Sequence, residues 1–141
     1  MRIVLDTNVI VSGLLLAESI PGRLLSFWEA KQYDLVTSAE QVDELVRVLN
    51  YGKLSTRIDA AKAATLMSAL HASAYQANEL PEVSYSVDLA DNLIIAIAIA
   101  GKADVLVTCD QKHLVALGSV AGIPILTPRE AIDRILREDD S

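Results

Sequence analysis

Short runs rich in Val, Ile and Leu alternate with helix-patterned segments along the whole of this 141-residue chain. That alternation constrains the fold more than any other feature. Strands separated by helical crossovers pair in parallel, and their two apolar faces must then be covered by helices. The first strand, residues 2–5, is β-branched and ends in an acid, Asp6; a helix over residues 8–16 follows. After a break at residues 19–22, Pro21 suits the first turn of a helix reaching about residue 31. Residues 33–37 read as the second strand. Ser38 then caps a helix, with Gln41 three residues later as its capping-box partner. Val42, Leu45, Val46 and Leu49 share one face of that helix, and Glu44 lies beside the stripe, placed to look into a cleft.

Gly52 breaks this helix, and an Ala-rich helix spans residues 56–74. Residues 83–87 are a third strand candidate. Residues 97–100 alternate as a strand would, but alanine disfavours strands and Gly101 suits a helix stop, so residues 88–100 read as a buried helix. A strand over residues 104–108, a short helix over 111–117 and a last strand over 123–126 follow. Thr127, Pro128 and Glu130 form a complete helix start. The expectation is one α/β domain over residues 1–141, three-layered α/β/α, with a central, mainly parallel sheet of four to five strands.

Composition bounds the function. Hydrophobic residues make up 52% with one Phe and one Trp, so the core is aliphatic. The longest apolar run, residues 93–100, is too short to cross a bilayer, and Asp6 interrupts what would be a signal peptide. A single cysteine, Cys109, excludes an internal disulfide framework and a cysteine-based zinc site; a cytoplasmic location without membrane attachment is expected. The net charge of −7 argues against a broad nucleic-acid-binding surface, which needs Lys and Arg. It leaves a metal-centred site untouched, because carboxylates gathered around a cation are neutralised when loaded. Part of the acidic surplus, Glu138, Asp139 and Asp140, falls in a tail starting at about residue 137.

The acids fall where chemistry is expected. In open parallel sheets, ligands bind beyond the carboxyl ends of the strands. Asp6 closes the first strand and Asp110 follows the strand at 104–108, each beside a hydroxyl, Thr7 and Thr108, able to orient a carboxylate. Asp88 and Asp91 flank the first turn of the buried helix, where the helix dipole favours negative charge with or without a metal. Blander roles compete with these. Glu44 can pair with Arg47 on its own helix, Asp88 and Asp91 can cap, and Asp110 can be a loop acid. Cys109 reads as a small buried hydrophobe, and His71 and His113 as structural or surface residues. Yet neighbouring carboxylates repel, and a hard divalent cation such as Mg²⁺ resolves that conflict through oxygen ligands.

The segments 3–10 (Ile-Val-Leu-Asp-Thr-Asn-Val-Ile), 38–45, 88–96 and 103–110, with the closing 123–128, resemble the successive motifs of a PIN domain, and within that family the toxin components of bacterial toxin–antitoxin pairs. The resemblance implies an endoribonuclease using Mg²⁺ or Mn²⁺. It assigns Asp6, Glu44, Asp91 and Asp110 as the catalytic, metal-binding cluster, with Asn8 supporting the first acid and Thr108 preceding the last. Beside these, Thr7, Asp88 and Asn92 are candidate supporting residues, Asp88 as an outer ligand or a cap. It also implies an RNA substrate, a homodimer and a small antitoxin that fills the site. Two positions depart from the pattern: Asn92 and Lys112 stand where relatives often carry acids. These departures and the negative charge keep open a non-catalytic PIN module that binds RNA or protein. An aspartate-based phosphotransfer domain ranks lower. Dehalogenase-like domains want an aspartate where Asn8 stands, and receiver domains want adjacent acids in the first strand-to-helix loop.

Overall fold

The computed structural model describes residues 1–110 and 112–139. In chain order the elements are β1 (Arg2–Leu5), α1 (Thr7–Leu15), α2 (Ile20–Glu29), β2 (Asp34–Thr37), α3 (Ala39–Leu49), α4 (Leu54–Arg57), α5 (Ala60–Ser73) and β3 (Tyr75–Gln76). There follow α6 (Leu89–Ala100), β4 (Val105–Val107), α7 (Leu114–Leu117), β5 (Ser119–Val120), β6 (Ile123–Leu126) and α8 (Pro128–Asp139). The strands form one sheet in the order β3-β2-β1-β4-β6-β5, parallel throughout except for β5, which runs antiparallel to β6.

Alternate residues of the strands feed opposite faces, as the two-residue period of a strand requires. Ile3, Leu5, Leu35, Val105 and Val107 join the core beneath α1, α2, α3, α5 and α8. Val4, Val36, Leu106 and Ile125 face the other way, onto Ile94, Ile95, Ile97 and Ala98 of α6. The sheet is thus sandwiched between helical layers, as the alternation predicts. The order also fixes where a ligand can sit. The chain leaves β1 for β2 and β3 on one side, then returns to β1's other side as β4. That reversal makes the crevice beyond the ends of β1 and β4 the switch point of the sheet.

Several expectations need correction. The sheet has six strands rather than four to five, two of them only two residues long. Residues 83–87 form no strand; the edge beside β2 is taken by Tyr75 and Gln76 instead. The helix expected over 56–74 is divided, because the Asp59 carboxylate accepts from the Ala61 and Lys62 N–H groups and starts α5 afresh. The short helix expected over 111–117 begins at Leu114, and Gln111 lies outside the described residues. Arg137 and Glu138 belong to α8 rather than to a tail, whereas Asp140 and Ser141 lie outside the described residues.

Gly101 ends α6 for a different reason from the one expected: its φ is −85°, so no left-handed turn is needed. A Cβ there would stand 2.4 Å from Val36 Cγ1, and it is this close approach of α6 to β2 that demands glycine. Among the described residues no single helix is long and apolar enough to cross a membrane.

Candidate active site

Asp6 leaves the end of β1 at the switch point. Its N–H donates to the Val107 carbonyl of β4 at 2.8 Å, which ties it to the neighbouring strand, and its own carbonyl starts α1 by accepting from Val9. Thr108 Oγ1 donates to Asp6 Oδ2 at 2.8 Å. The same hydroxyl accepts from the Asp110 N–H at 3.0 Å, so one buried threonine orients two of the expected acids. Asn8 Oδ1 accepts from the Cys109 N–H at 3.3 Å and draws the segment after β4 against the start of α1. Thr108 thus touches Asp6 directly, whereas the Asn8 side chain bonds the segment after β4 rather than Asp6. Cys109 itself is exposed, contrary to the expectation of a buried one.

Asp91 sits in the first turn of α6 at 7% exposure. Asp88 caps that helix, its carboxylate accepting from the Ala90 N–H at 2.9 Å, so its capping role is realised and it remains exposed. The residue missed from sequence is Ser86. Its hydroxyl donates to Asp91 Oδ2 at 3.0 Å and accepts from the Asp88 N–H. Asn92 explains how Ser86 stays there. Its Oδ1 accepts from the Ser86 N–H at 3.0 Å, and its Nδ2 donates to the Ser86 carbonyl at 2.8 Å. An amide can do both and a carboxylate cannot, so the asparagine found in place of an acid is a clasp on this segment. Asn92→Asp is expected to lose one bond and set a charge against a carbonyl, lowering the urea midpoint of the metal-free protein by an amount worth about 1–3 kcal/mol. An unchanged midpoint contradicts the clasp.

The electrostatics link the acids into one group. Burial, more than any neighbour, raises Asp6 from 3.8 to about 6; the Thr108 hydrogen bond opposes this, and the Asp91 and Glu44 charges add to it. Glu44, half-buried on α3, is raised by burial; Arg47 opposes this and Asp88 adds to it. Asp91 is likewise raised by burial, against the Ser86 hydrogen bond and with the charges of Asp88 and Asp110. Asp110 behaves differently. Burial pushes it up, but the His113 N–H and ring and the Lys112 N–H together hold it below its ordinary value. Its carboxylate accepts from both N–H groups at 3.1 Å, and His113 Nδ1 lies 3.2 Å from Oδ2. The expected acids therefore share one electrostatic neighbourhood.

Whether that neighbourhood suits a divalent cation can be judged from its donors. All are carboxylate oxygens, the preferred ligands of Mg²⁺ and Mn²⁺. Among the described residues one buried side-chain polar atom lacks a hydrogen-bond partner, and it is Thr7 Oγ1, next to Asp6. As they stand, no three His, Cys, Asp or Glu side chains among the described residues are grouped to hold a metal. The chemistry of the donor set, carboxylate oxygens, fits the ion.

The structure is a small α/β domain with Asp6 and Asp110, both bonded to Thr108, at the switch point of its sheet. By comparison with known families, the chain belongs to the PIN domain family, which it matches over residues 2–112, a stretch holding all four acids. In fold it is similar to a chain of VapBC2 from Rickettsia felis, whose crystal structure is bound to a DNA fragment from their promoter. The two share 16% identity with a TM-score of 0.56, over 90% of this chain and 98% of that one. No curated protein is a significant match.

Proposed function

We propose that this protein is a metal-dependent endoribonuclease that hydrolyses RNA phosphodiester bonds at the crevice beyond β1 and β4, acting as the toxin of a toxin–antitoxin pair. The observation that carries the reading is the half-buried Asp6 at the switch point, bonded by Thr108 and raised mainly by burial, with weaker repulsion from Asp91 and Glu44. A fold tolerates such repulsion readily where a cation relieves it. Asp6, Glu44, Asp91 and Asp110 would hold Mg²⁺ or Mn²⁺, which when bound supplies a Lewis acid for the phosphodiester and a lowered pKa for the attacking water. The chain's own part is orientation. Thr108 and Ser86 each turn one carboxylate, the Lys112 and His113 N–H groups fix Asp110, and Asn8 holds the segment after β4 in place.

An antitoxin has room to dock. A groove of roughly 640 Å³ runs from Glu44 along Val48, Tyr51, Leu54, Leu89 and Leu93, with Tyr51 and Leu89 about 80% exposed. A small protein segment with apolar side chains for this groove, and one charge of each sign for Glu44 and Arg47 at its edge, is the partner it suits. A homodimer in the cytoplasm, with the chain as one domain, completes the proposal.

One observation favours the binding-module reading: the acids are not grouped as a closed metal site. The two readings differ in turnover. Incubation of a mixed, end-labelled RNA pool with Mn²⁺ is expected to give cleavage that EDTA and Asp91→Asn both remove. RNA retained without cleavage, by folded protein carrying Mn²⁺, would favour the binding module. Acid-stable, base-labile label from a phosphodonor would instead indicate the phosphotransfer domain.

A further inference from the structure

Gln41 stands one helical turn before Glu44 on α3 and is 2% exposed. Its sequence setting suggests half of a capping box, and Ser38 does accept from the Gln41 backbone N–H at 3.1 Å. The side chain, however, does not turn back to Ser38. Its Nε2 donates to the Leu5 carbonyl at 2.7 Å, and its Oε1 accepts from Thr37 Oγ1 at 2.7 Å. The β1–β2 register runs from Arg2 with Asp34 to Val4 with Val36. At the next residue, where the strands part, the amide of Gln41 takes the Leu5 carbonyl. It thereby binds α3 to the ends of both strands, and Leu5 is the residue that precedes Asp6.

We propose that Gln41 is a positioning residue for the acid cluster, fixing Glu44 on α3 against Asp6 at the end of β1. The inference rests on the metal-nuclease reading. A primary amide is the side chain this junction needs, because it donates to one strand end and accepts from the other. Leucine does neither, and an ionised glutamate cannot donate to the Leu5 carbonyl. Both partners are buried, so the geometry is not traded for water. Among the described residues no other side-chain hydrogen bond joins α3 to β1, and on the metal-nuclease reading Glu44 and Asp6 approach one ion from these two elements.

The test is Mn²⁺ affinity, read from the electron paramagnetic resonance signal of the free ion at a temperature where every variant is folded. Gln41→Leu and Gln41→Glu are expected to weaken binding about 10–100-fold, as loss of partners behind metal ligands commonly does. Leu70→Ala, a core change on α5 that bears none of the acids, controls for lost stability and should leave affinity unchanged. If the Gln41 variants fail to fold, Thr37→Val serves. It removes the hydroxyl that orients the amide and is expected to weaken binding several-fold. Wild-type affinity in the Gln41 variants overturns the inference, as does an equal loss in Leu70→Ala. Absence of Mn²⁺ binding by the wild type overturns the metal-nuclease reading itself, and shows in a different sample.

Discussion

Asp6→Asn is expected to abolish RNA cleavage and at the same time to stabilise the metal-free protein at pH 8. The loss follows from removing a charge that the reaction needs, and a fall of at least about 10²–10³-fold is expected. The gain follows from the raised acid. The folded carboxyl, at about 6, holds its proton more tightly than the unfolded one at 3.8. The folded state is therefore favoured by protonation, and that contribution is present in full below about pH 4 and lost as pH rises through about 6. Above that, the ionised Asp6 costs the metal-free fold up to about 3 kcal/mol. Asparagine keeps an acceptor for Thr108 and carries no charge. The variant should thus exceed the wild type in urea midpoint at pH 8 and match it near pH 4. A variant less stable than wild type at pH 8 contradicts this description of the site.

Mn²⁺ is expected to reverse the same penalty. At a hundred times its dissociation constant the ion stabilises the native state by about 2.7 kcal/mol, which for a chain of this size raises Tm on the order of 10 °C. Protons compete for the carboxylates, so the shift should be large at pH 8, much smaller at pH 5, and absent with EDTA or in Asp6→Asn. The direction is set by Asp6: below about 6 it is mostly protonated and the ion must displace that proton. A shift of equal size at both pH values, or one retained by Asp6→Asn, would place the ion elsewhere on the surface.

The positions of Asp6 and Asp110 were legible because a strand end is a local signal: a β-branched run, then an acid beside a hydroxyl. The helix start at Thr127 was legible for the same reason. Glu130 and the Thr127 backbone and side chain exchange both expected hydrogen bonds, at 3.0 and 3.2 Å. What failed depended on contacts distant in sequence. Residues 83–87, Val-Ser-Tyr-Ser-Val, alternate like a strand, yet Asn92 clasps Ser86 and β3 already occupies the sheet edge. Gln41 looked like a helix cap until a strand end 36 residues earlier claimed its amide. Gly101 looks like a turn residue in the sequence, and it is the side chain of Val36 on β2, packed directly against the end of α6, that explains it. The electrostatic coupling among acids from β1, α3, α6 and the segment after β4 is likewise a property of the topology, invisible in any one segment.

The most direct measurement is single-turnover cleavage of one end-labelled RNA pool in Mn²⁺ by the wild type and Asp6→Asn, purified side by side. Cleavage by the wild type alone, removed by EDTA and restored by excess Mn²⁺, is the result predicted for a metal-dependent ribonuclease centred on Asp6. Equal cleavage by the two proteins, or none by wild type that demonstrably holds the ion, would contradict it.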